Sequence, residues 1–203
     1  HENPAGAAPE HSGAAPFDGD EPAPATVPVA LPESTEAAPS GGLVVALHEA
    51  LTARGGLWIG HSGYIGAEPD KGLKEIAGGA YRRLGFDLSE EEHRGYYLGY
   101  ANSVLWPLFH HRPDLIDVTA GDSTVYREVN ERVAGLVADL LEPDDIVWVH
   151  DYHLLPFAEA LRRRGVRNRI GFFLHIPFPS TSEVPALPER KLLPGWLSAY
   201  DLV

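Results

Sequence analysis

An acidic side chain and an imidazole each follow an apolar, β-prone run of the sequence. Asp151 comes two residues after the run Ile146–Val149, and His175 directly follows the run Ile170–Leu174. Ligands of open parallel sheets bind outside the carboxyl ends of the strands, so two adjacent strand ends would place this acid and this imidazole on one rim. The alternative is structural, with Asp151 capping the helix that follows and His175 satisfied by backbone groups in a proline-rich turn.

Three histidines near the same strand ends are also candidates for a metal site. His150, His153 and His175 could supply three imidazoles, as in zinc hydrolases. The first two sit at a strand-to-helix turn rather than four residues apart on one helical face, and neither a cysteine nor a further carboxylate completes the set. The spacing therefore argues against a metal. The neighbours His110 and His111 are expected to be surface or packing residues, because their side chains diverge.

A pair of glycines before a predicted helix is a candidate site for an anion. Gly41 and Gly42 precede an apolar run with helical spacing, and the unpaired N–H groups at a helix N-terminus attract phosphate. The chain contains neither a complete G-x-G-x-x-G nor a complete G-x-x-x-x-G-K-[ST] motif. It therefore carries no dinucleotide or P-loop fingerprint.

Tyr97 and Trp106 are the aromatic candidates for contact with a sugar ring. They lie nine residues apart in one predicted helix, which is about two and a half α-helical turns. They would not share one face of the helix unless it ends or bends between them. Core packing is the default role for each, although aromatic rings near an acid also suit the apolar faces of a sugar.

The periodicity of apolar residues predicts helices and strands around these candidates. The predicted helices cover residues 43–51, ended by Gly55; 89–106, opened by a Ser89–Glu92 capping box and stopped by Pro107; 126–141; and 154–164. The predicted strands are Leu57–Gly60, a short buried strand followed by a glycine-rich loop through Gly66; Ile146–Val149, buried on both faces; and Ile170–Leu174. The last two strands and the helix between them form a βαβ unit. The sequence therefore predicts an α/β fold with a doubly wound, mostly parallel sheet.

Composition and charge exclude several classes of function. Lys and Arg number 16 against 29 Asp and Glu, a net charge of −13, so no basic stripe could neutralise a nucleic-acid backbone. The apolar stretches are far shorter than the roughly 18 residues of a membrane span. Without cysteine there is no disulfide framework, iron–sulfur cluster or thiol nucleophile, which fits a cytoplasmic protein.

Residues 1–40 differ in composition from the rest of the chain. They contain eight prolines, ten alanines and seven acidic residues but no Lys or Arg, too little apolar surface to offset the entropy of ordering. We expect a disordered acidic tail there and a folded domain over residues 41–203; the alternative is a short strand at 26–31. Methionine is absent even at position 1, and the chain ends in an apolar run, so we expect both ends to lie within a longer protein.

Four stretches, in this order, resemble the signatures of trehalose-6-phosphate synthases. They are GGLWIG (Gly55–Gly60), NSVLWPLFH (Asn102–His110), VWVHDYHLLP (Val147–Pro156) and RIGFFLHIPFP (Arg169–Pro179). The resemblance implies a retaining glycosyltransferase with two Rossmann-like domains of the GT-B type. Such an enzyme moves glucose from UDP-glucose to glucose 6-phosphate, giving trehalose 6-phosphate, with no metal or other cofactor. The chain would be an incomplete N-terminal, acceptor-binding domain, and the full-length enzyme is compatible with a homo-oligomer.

The resemblance also assigns roles to individual residues. Asp151 would hold hydroxyl groups of the acceptor, and His175 would contact the transferred glucose near the reacting centre. The remaining assigned residues bind substrate: Tyr97 at the acceptor phosphate, Trp106 and Trp58 in the acceptor pocket, and Gly42 beside the donor diphosphate. No enzyme nucleophile is implied, because the acceptor attacks on the face from which the nucleotide leaves. Stabilisation of the leaving diphosphate would then supply most of the catalysis.

The sequence departs from this family at several points. Residues 1–40 show no Ser-Asn-Arg motif, whose arginine contacts phosphate in the family, and His61 stands where a tryptophan is common. The stretch Glu183–Pro188 is shorter than usual, and the second domain, with its basic residues for the UDP diphosphate, does not follow Val203. The chain alone is therefore expected to be inactive. A glucosylglycerol-phosphate synthase-like transferase and a non-catalytic acceptor-binding module remain as alternatives.

Overall fold

The structure is a computed structural model that describes the backbone of residues 42–77 and 79–203 and the side chains of residues 47–76 and 79–203. The tail predicted for residues 1–40 and the alternative strand at 26–31 lie outside the described residues. The first predicted helix is confirmed. It runs over Gly42–Arg54 (α1) and stops where Gly55 adopts a φ of 75°.

Strands and helices follow one another along the rest of the chain. The strands are β1 (Leu57–Gly66), β2 (Leu73–Ala77), β3 (Arg82–Ser89), β4 (Ile146–His150) and β5 (Arg169–Phe173). The α-helices after α1 are α2 (Glu90–Glu92), α3 (Trp106–Phe109), α4 (Asp122–Ala138), α5 (Phe157–Arg163) and α6 (Leu193–Ser198). A π-helix covers His93–Leu105, and short 3₁₀ turns cover Pro113–Leu115, Tyr152–Leu154 and Val184–Ala186.

The strands of the described residues form two sheets. In the first, β1 and β3 are parallel, and β2 pairs antiparallel with β3. In the second, β4 and β5 are parallel, and Leu202 adds one parallel bridge to Gly171. The predicted α/β class with mostly parallel strands is confirmed.

The prediction of a loop after Gly60 is wrong, because β1 continues through the glycine-rich segment to Gly66. Its pairing with β3 shifts register between His61 and Ile65, where Gly63 takes a φ of 89°. Glycine adopts a positive φ at little cost, so the strand passes this irregularity without ending. The residues of β1 are half-buried or exposed rather than buried.

A buried carboxylate in β3 ties the loop between β1 and β2 to the sheet. Asp87 accepts hydrogen bonds from Ser62 Oγ at 2.6 Å, Lys74 Nζ at 2.7 Å and the Asp70 backbone N–H at 3.2 Å. Burial acts to raise the pKa of Asp87, but the hydrogen bonds from Lys74, Ser62 and Asp70 outweigh it and lower that pKa. The carboxylate therefore keeps its charge inside the fold.

The helix predicted from Ser89 is confirmed at its start and wrong at its end. Ser89 Oγ accepts from Glu92 N at 3.0 Å and Glu92 Oε2 accepts from Ser89 N at 2.9 Å, which is the predicted capping box. Pro107 does not stop the helix at Trp106, because it lies in the first turn of α3, where a missing N–H is tolerated. The preceding helix is a π-helix, whose hydrogen bonds join residues five apart. Tyr97 and Trp106 are therefore separated by close to two of its wider turns.

The predicted βαβ unit is confirmed, with β4 and β5 paired in parallel on either side of α5. The prediction that β4 is buried on both faces is wrong for the described residues. Ile146 and Trp148 are 71% and 56% exposed, whereas Val149 is 3% exposed. Alternate side chains of a strand point to opposite faces, and here only the face of Val149 packs on the described core.

The helix predicted over residues 126–141 is confirmed as α4, shifted toward its N-terminus. Its buried residues recur every three or four positions: Tyr126, Val129, Asn130, Val133, Ala134 and Val137. The helix predicted over 154–164 begins later, as α5, because Tyr152–Leu154 form a 3₁₀ turn before Pro156. These two helices and the π-helix all contribute residues to the buried core, which also includes Val149 of β4 and Ile170 and Phe172 of β5.

Candidate functional site

The carboxyl ends of β4 and β5 meet at one edge of their sheet. His150, the last residue of β4, lies beside His175: Nδ1 of the first is 3.2 Å from Nε2 of the second, and the rings stack at 5.4 Å. The Asp151 N–H donates to Phe173 O at 2.8 Å, which fixes the start of the turn after β4 against β5. The structure therefore brings the predicted acid and the predicted imidazole to the same rim.

Asp151 has a strained backbone. Its φ of 68° and ψ of 165° lie in a region that is essentially restricted to glycine, and holding another residue there costs about 1–3 kcal/mol. Its carboxylate accepts the Tyr152 N–H at 3.1 Å and so caps the 3₁₀ turn, as the structural alternative expected. A carboxylate offers about four acceptor positions, and this half-buried group keeps capacity for further donors. Strain of this kind clusters at ligand-binding and catalytic sites.

A column of stacked rings connects the π-helix to the turn after Asp151. The Tyr97 ring lies between His93, at 5.4 Å, and His153, at 5.6 Å, and His153 stacks on Tyr152 at 4.4 Å. The column brings Tyr97 to the turn that Asp151 opens. His93 was not predicted as part of the site, although its four-residue spacing from Tyr97 is one that joins side chains on a helix.

The other predicted substrate-binding residues lie outside this column. Trp106 stacks on His110 at 4.2 Å, and His110 Nδ1 lies 2.7 Å from Trp106 O, so His110 is the packing residue that was predicted. Trp58 lies in β1 opposite Arg83 of β3 and is half-buried. Gly42 is the first residue of α1.

Burial keeps several histidines of this region neutral. Burial lowers the pKa of His150, and the nearby His175 lowers it further against the opposing effect of Asp151. Burial also lowers the pKa of His153, again opposed by Asp151, and burial lowers the pKa of His93. Neutral rings stack in the column without charge repulsion, and the imidazoles at neutral pH can each donate one hydrogen bond and accept another.

Acidification is expected to weaken the fold through these histidines. The pKa values of His93, His150 and His153 are lower in the folded chain than the ordinary 6.5. The unfolded chain therefore binds protons more readily as the pH falls below about 6.5, and the free energy of unfolding falls with it. Urea unfolding of the 203-residue chain between about pH 7.5 and 5.5 measures this loss, at pH values where most carboxylates do not titrate.

The His153→Phe variant isolates one of these groups. It keeps a flat ring between Tyr97 and Tyr152 but removes the titrating nitrogen atoms. We expect it to reduce the pH-dependent loss over the same range, because the buried imidazole lowers stability on acidification and phenylalanine takes up no proton in either state. An unchanged pH dependence in this variant would contradict the burial of a neutral imidazole in the column.

Neither a cluster of metal-binding side chains nor a membrane-spanning helix is found in the part of the chain that the structure describes. Within residues 42–77 and 79–203, no group of three or more His, Cys, Asp or Glu side chains is arranged to hold a metal ion. The expected absence of a metal stays a prediction. In the same ranges, no helix is long and apolar enough to cross a membrane.

A cavity of about 670 Å³ opens near the amino ends of β4 and β5, between the end of α4 and the loop after α5, and shares no residue with the rim of Asp151 and His175.

Known proteins resemble the chain in both sequence and fold. The family model of glycosyltransferase family 20 matches residues 30–203. A curated trehalose-6-phosphate synthase from Enterobacter sp. (strain 638) is 46% identical over 172 residues, which cover 85% of this chain and 36% of that protein. An α,α-trehalose-phosphate synthase (UDP-forming) from Burkholderia xenovorans, solved in complex with glucose-6-phosphate, superposes with a TM-score of 0.74 and 42% identity over 84% of this chain and 37% of that one. A structure described as trehalose-6-phosphate from E. coli bound with UDP-2-fluoro glucose gives a TM-score of 0.73 and 46% identity over 83% of this chain and 37% of that one.

The matched region contains all four signature stretches and the rim of Asp151 and His175. The chain spans about a third of the length of the relatives it matches. The resemblance to trehalose-6-phosphate synthases, for an N-terminal portion, is confirmed by the sequence identity and the superposition together. The chain belongs to glycosyltransferase family 20.

Proposed function

We propose that this chain is the acceptor-binding portion of a retaining transferase that moves glucose from UDP-glucose to glucose 6-phosphate and forms trehalose 6-phosphate. The observation that carries the proposal is the strained Asp151 at the carboxyl end of β4, beside the ring column of Tyr97 and across from His175. A relative solved with glucose-6-phosphate and another solved with UDP-2-fluoro glucose support both substrates.

Asp151 and His175, the two predicted catalytic residues at the rim, would have different roles. The Asp151 carboxylate would accept hydrogen bonds from acceptor hydroxyls, because charged acceptors form stronger hydrogen bonds than neutral ones. His175, held beside His150, would donate to the transferred glucose near the reacting centre. Donors aimed at developing charge are the usual source of catalysis in the absence of a nucleophile.

The remaining predicted residues would complete the substrate sites. Tyr97, fixed between two imidazole rings, would reach the acceptor phosphate through its hydroxyl. Trp106 and Trp58 would line the acceptor pocket, and Gly42, at the start of α1, would let backbone approach the donor diphosphate. No metal and no other cofactor is proposed. The domain over residues 41–203, the cytoplasmic location and a homo-oligomeric full-length enzyme are part of the same proposal.

A chimera tests the proposal. Residues 42–203 replace the matching segment of the Enterobacter relative, which supplies the rest of the enzyme. We expect the purified chimera to release UDP from UDP-glucose and to form trehalose 6-phosphate only when glucose 6-phosphate is present. The 203-residue chain alone is the negative control, and it should show no transfer.

The same assay separates the alternative functions. Preference for glycerol 3-phosphate over glucose 6-phosphate would favour a glucosylglycerol-phosphate synthase-like transferase. A chimera that melts cooperatively and binds glucose 6-phosphate without any transfer would favour a non-catalytic acceptor-binding module. A folded chimera that neither binds nor uses glucose 6-phosphate would overturn the proposed acceptor.

A further inference from the structure

Three buried side chains donate hydrogen bonds to the backbone of the turn that follows Asp151. Each reaches a different carbonyl: Tyr126 Oη to Tyr152 O at 2.6 Å, Asn130 Nδ2 to His153 O at 3.1 Å, and Tyr200 Oη to Leu154 O at 2.8 Å. Two of the donors come from α4, and the third follows α6. We call Tyr126, Asn130 and Tyr200 the turn brace.

The turn needs outside donors because of its own sequence. In a continuing helix the N–H of residue 156 would donate to the carbonyl of Tyr152, four residues earlier. Residue 156 is Pro156, which has no N–H. The Tyr126 hydroxyl takes the place of that missing donor, so the Tyr152 carbonyl is held by a side chain of another helix.

The two donors in α4 include a buried polar atom that is unfavourable. Tyr126 and Asn130 are four residues apart and so face the same way, and both are fully buried. Burial raises the pKa of Tyr126 far above its ordinary value, which keeps its hydroxyl a hydrogen-bond donor. Asn130 Oδ1 is buried without a hydrogen-bond partner, and an orphaned buried acceptor is unfavourable. An apolar residue would avoid that penalty but would also lose the hydrogen bonds that Asn130 Nδ2 donates to His153 O at 3.1 Å and to Tyr126 O at 2.9 Å.

The carbonyl groups that the turn brace holds directly follow the strained residue, Asp151. Asp151 precedes the first braced carbonyl by one residue, and its φ of 68° with a ψ of 165° persists only where the surroundings fix the backbone on both sides. On one side the Asp151 N–H is held by Phe173 O at 2.8 Å. On the other side, the brace holds the turn.

We infer that Tyr126, Asn130 and Tyr200 are positioning residues, which force the Asp151 backbone into its strained conformation and thereby aim the Asp151 carboxylate at the acceptor. The use of that carboxylate rests on the proposed function, whereas the hold on the backbone does not. Removing one donor should let Asp151 relax and its side chain turn away.

A comparison of two substitutions at Asp151 tests the hold. Both Asp151→Gly and Asp151→Ala remove the carboxylate, but only Ala keeps a Cβ that is strained at this φ. In the otherwise unchanged 203-residue chain, we expect the folding equilibrium constant of Asp151→Gly to exceed that of Asp151→Ala about tenfold. With Tyr126→Phe added, the backbone has already relaxed, and the ratio should fall below about twofold. Urea unfolding measures the constants.

Tyr100→Phe is the matched control. It also removes a buried tyrosine hydroxyl, but that hydroxyl donates to Glu189 at 2.6 Å and not to the turn. The ratio at position 151 should stay near tenfold in this background. A ratio that is the same in the Tyr126→Phe and Tyr100→Phe backgrounds would overturn the inference. If Tyr126→Phe does not fold, Tyr200→Phe takes its place with the same expected result.

A spectroscopic readout follows the Asp151 backbone directly. In isotopically labelled chain with Asp151 intact, the three-bond HN–Hα coupling and the Cα shift of this residue should change in Tyr126→Phe and stay unchanged in Tyr100→Phe. An Asp151 that keeps its positive φ without the Tyr126 hydroxyl would overturn the inference. Neither measurement uses a substrate, so their failure is distinct from a failure of the transferase assay. In an active chimera, the same Tyr126→Phe change should raise the KM for glucose 6-phosphate more than it lowers kcat.

Discussion

The His175→Ala change in the chimera is expected to lower kcat about 100-fold, with a much smaller effect on the KM for glucose 6-phosphate. The imidazole lies at the end of β5, with Nε2 3.2 Å from Nδ1 of His150. If it donates to the transferred glucose where charge develops, its interaction is stronger in the transition state than in the ground state. Loss of such an interaction lowers turnover rather than acceptor binding.

His48→Ala is the control for this substitution. His48 lies on α1, and its hydrogen-bond partner is the Tyr81 hydroxyl at 3.2 Å rather than a residue of the rim, so its loss should leave both kinetic constants unchanged. Thermal melting of both variants separates catalysis from folding. If His175→Ala keeps wild-type turnover, or loses turnover only in proportion to its melting temperature, His175 belongs to the scaffold of the proline-rich turn.

The βαβ unit around this rim could be predicted because its signals are local and agree with one another. A β-prone run, a helical pattern and a second β-prone run follow closely in the sequence, and parallel pairing then places both strand ends at one edge. The neighbourhood of Asp151 and His175 follows from that geometry alone. The exposed face of β4 could not be predicted, because Ile146 and Trp148 are of residue types that usually lie in a core, yet both are exposed.

The sequence patterns predicted neither the π-helix nor the full length of β1. The residue before a proline usually leaves the helical region, but Pro107 lies in the first turn of α3, where it is tolerated. A glycine-rich stretch usually indicates a loop, but here Gly63, with its positive φ, lies at a register shift within a strand. The position of the proline in its helix decides the first case, and the pairing of β1 with the distant β3 decides the second.

The sequence contains one sign of the turn brace, a polar residue on an apolar helix face, but this sign can be interpreted only once the fold is known. Asn130 is a polar residue on the apolar face of α4, four positions after Tyr126. That pattern indicates a buried hydrogen bond without naming its acceptor. The acceptors lie in the turn after Asp151, and only the packing of α4 against that turn identifies them.

The Asp151→Asn change in the chimera is expected to raise the KM for glucose 6-phosphate about 10- to 100-fold. A hydrogen bond to a charged group contributes about 1.5–3 kcal/mol and one to a neutral amide about 0.5–1.5 kcal/mol, so each acceptor hydroxyl would lose about 1 kcal/mol and two would lose about 2 kcal/mol. The change leaves the fold intact for two reasons. Asparagine keeps an oxygen that can accept the Tyr152 N–H, now donated at 3.1 Å, and its Cβ imposes the same backbone strain at this φ as that of aspartate.

Asp144→Asn is the matched control, since it removes an exposed carboxylate in the turn before β4 and should leave the KM for glucose 6-phosphate unchanged. If Asp151 is only a helix cap, Asp151→Asn should resemble this control, because asparagine caps nearly as well as aspartate. Asp151→Ala would then lose about 1 kcal/mol of stability without a specific effect on acceptor use. A KM that rises in Asp151→Asn while the melting temperature stays at the wild-type value separates the two roles, because the substitution removes the charge and one acceptor oxygen but keeps the size and the capping oxygen of the side chain.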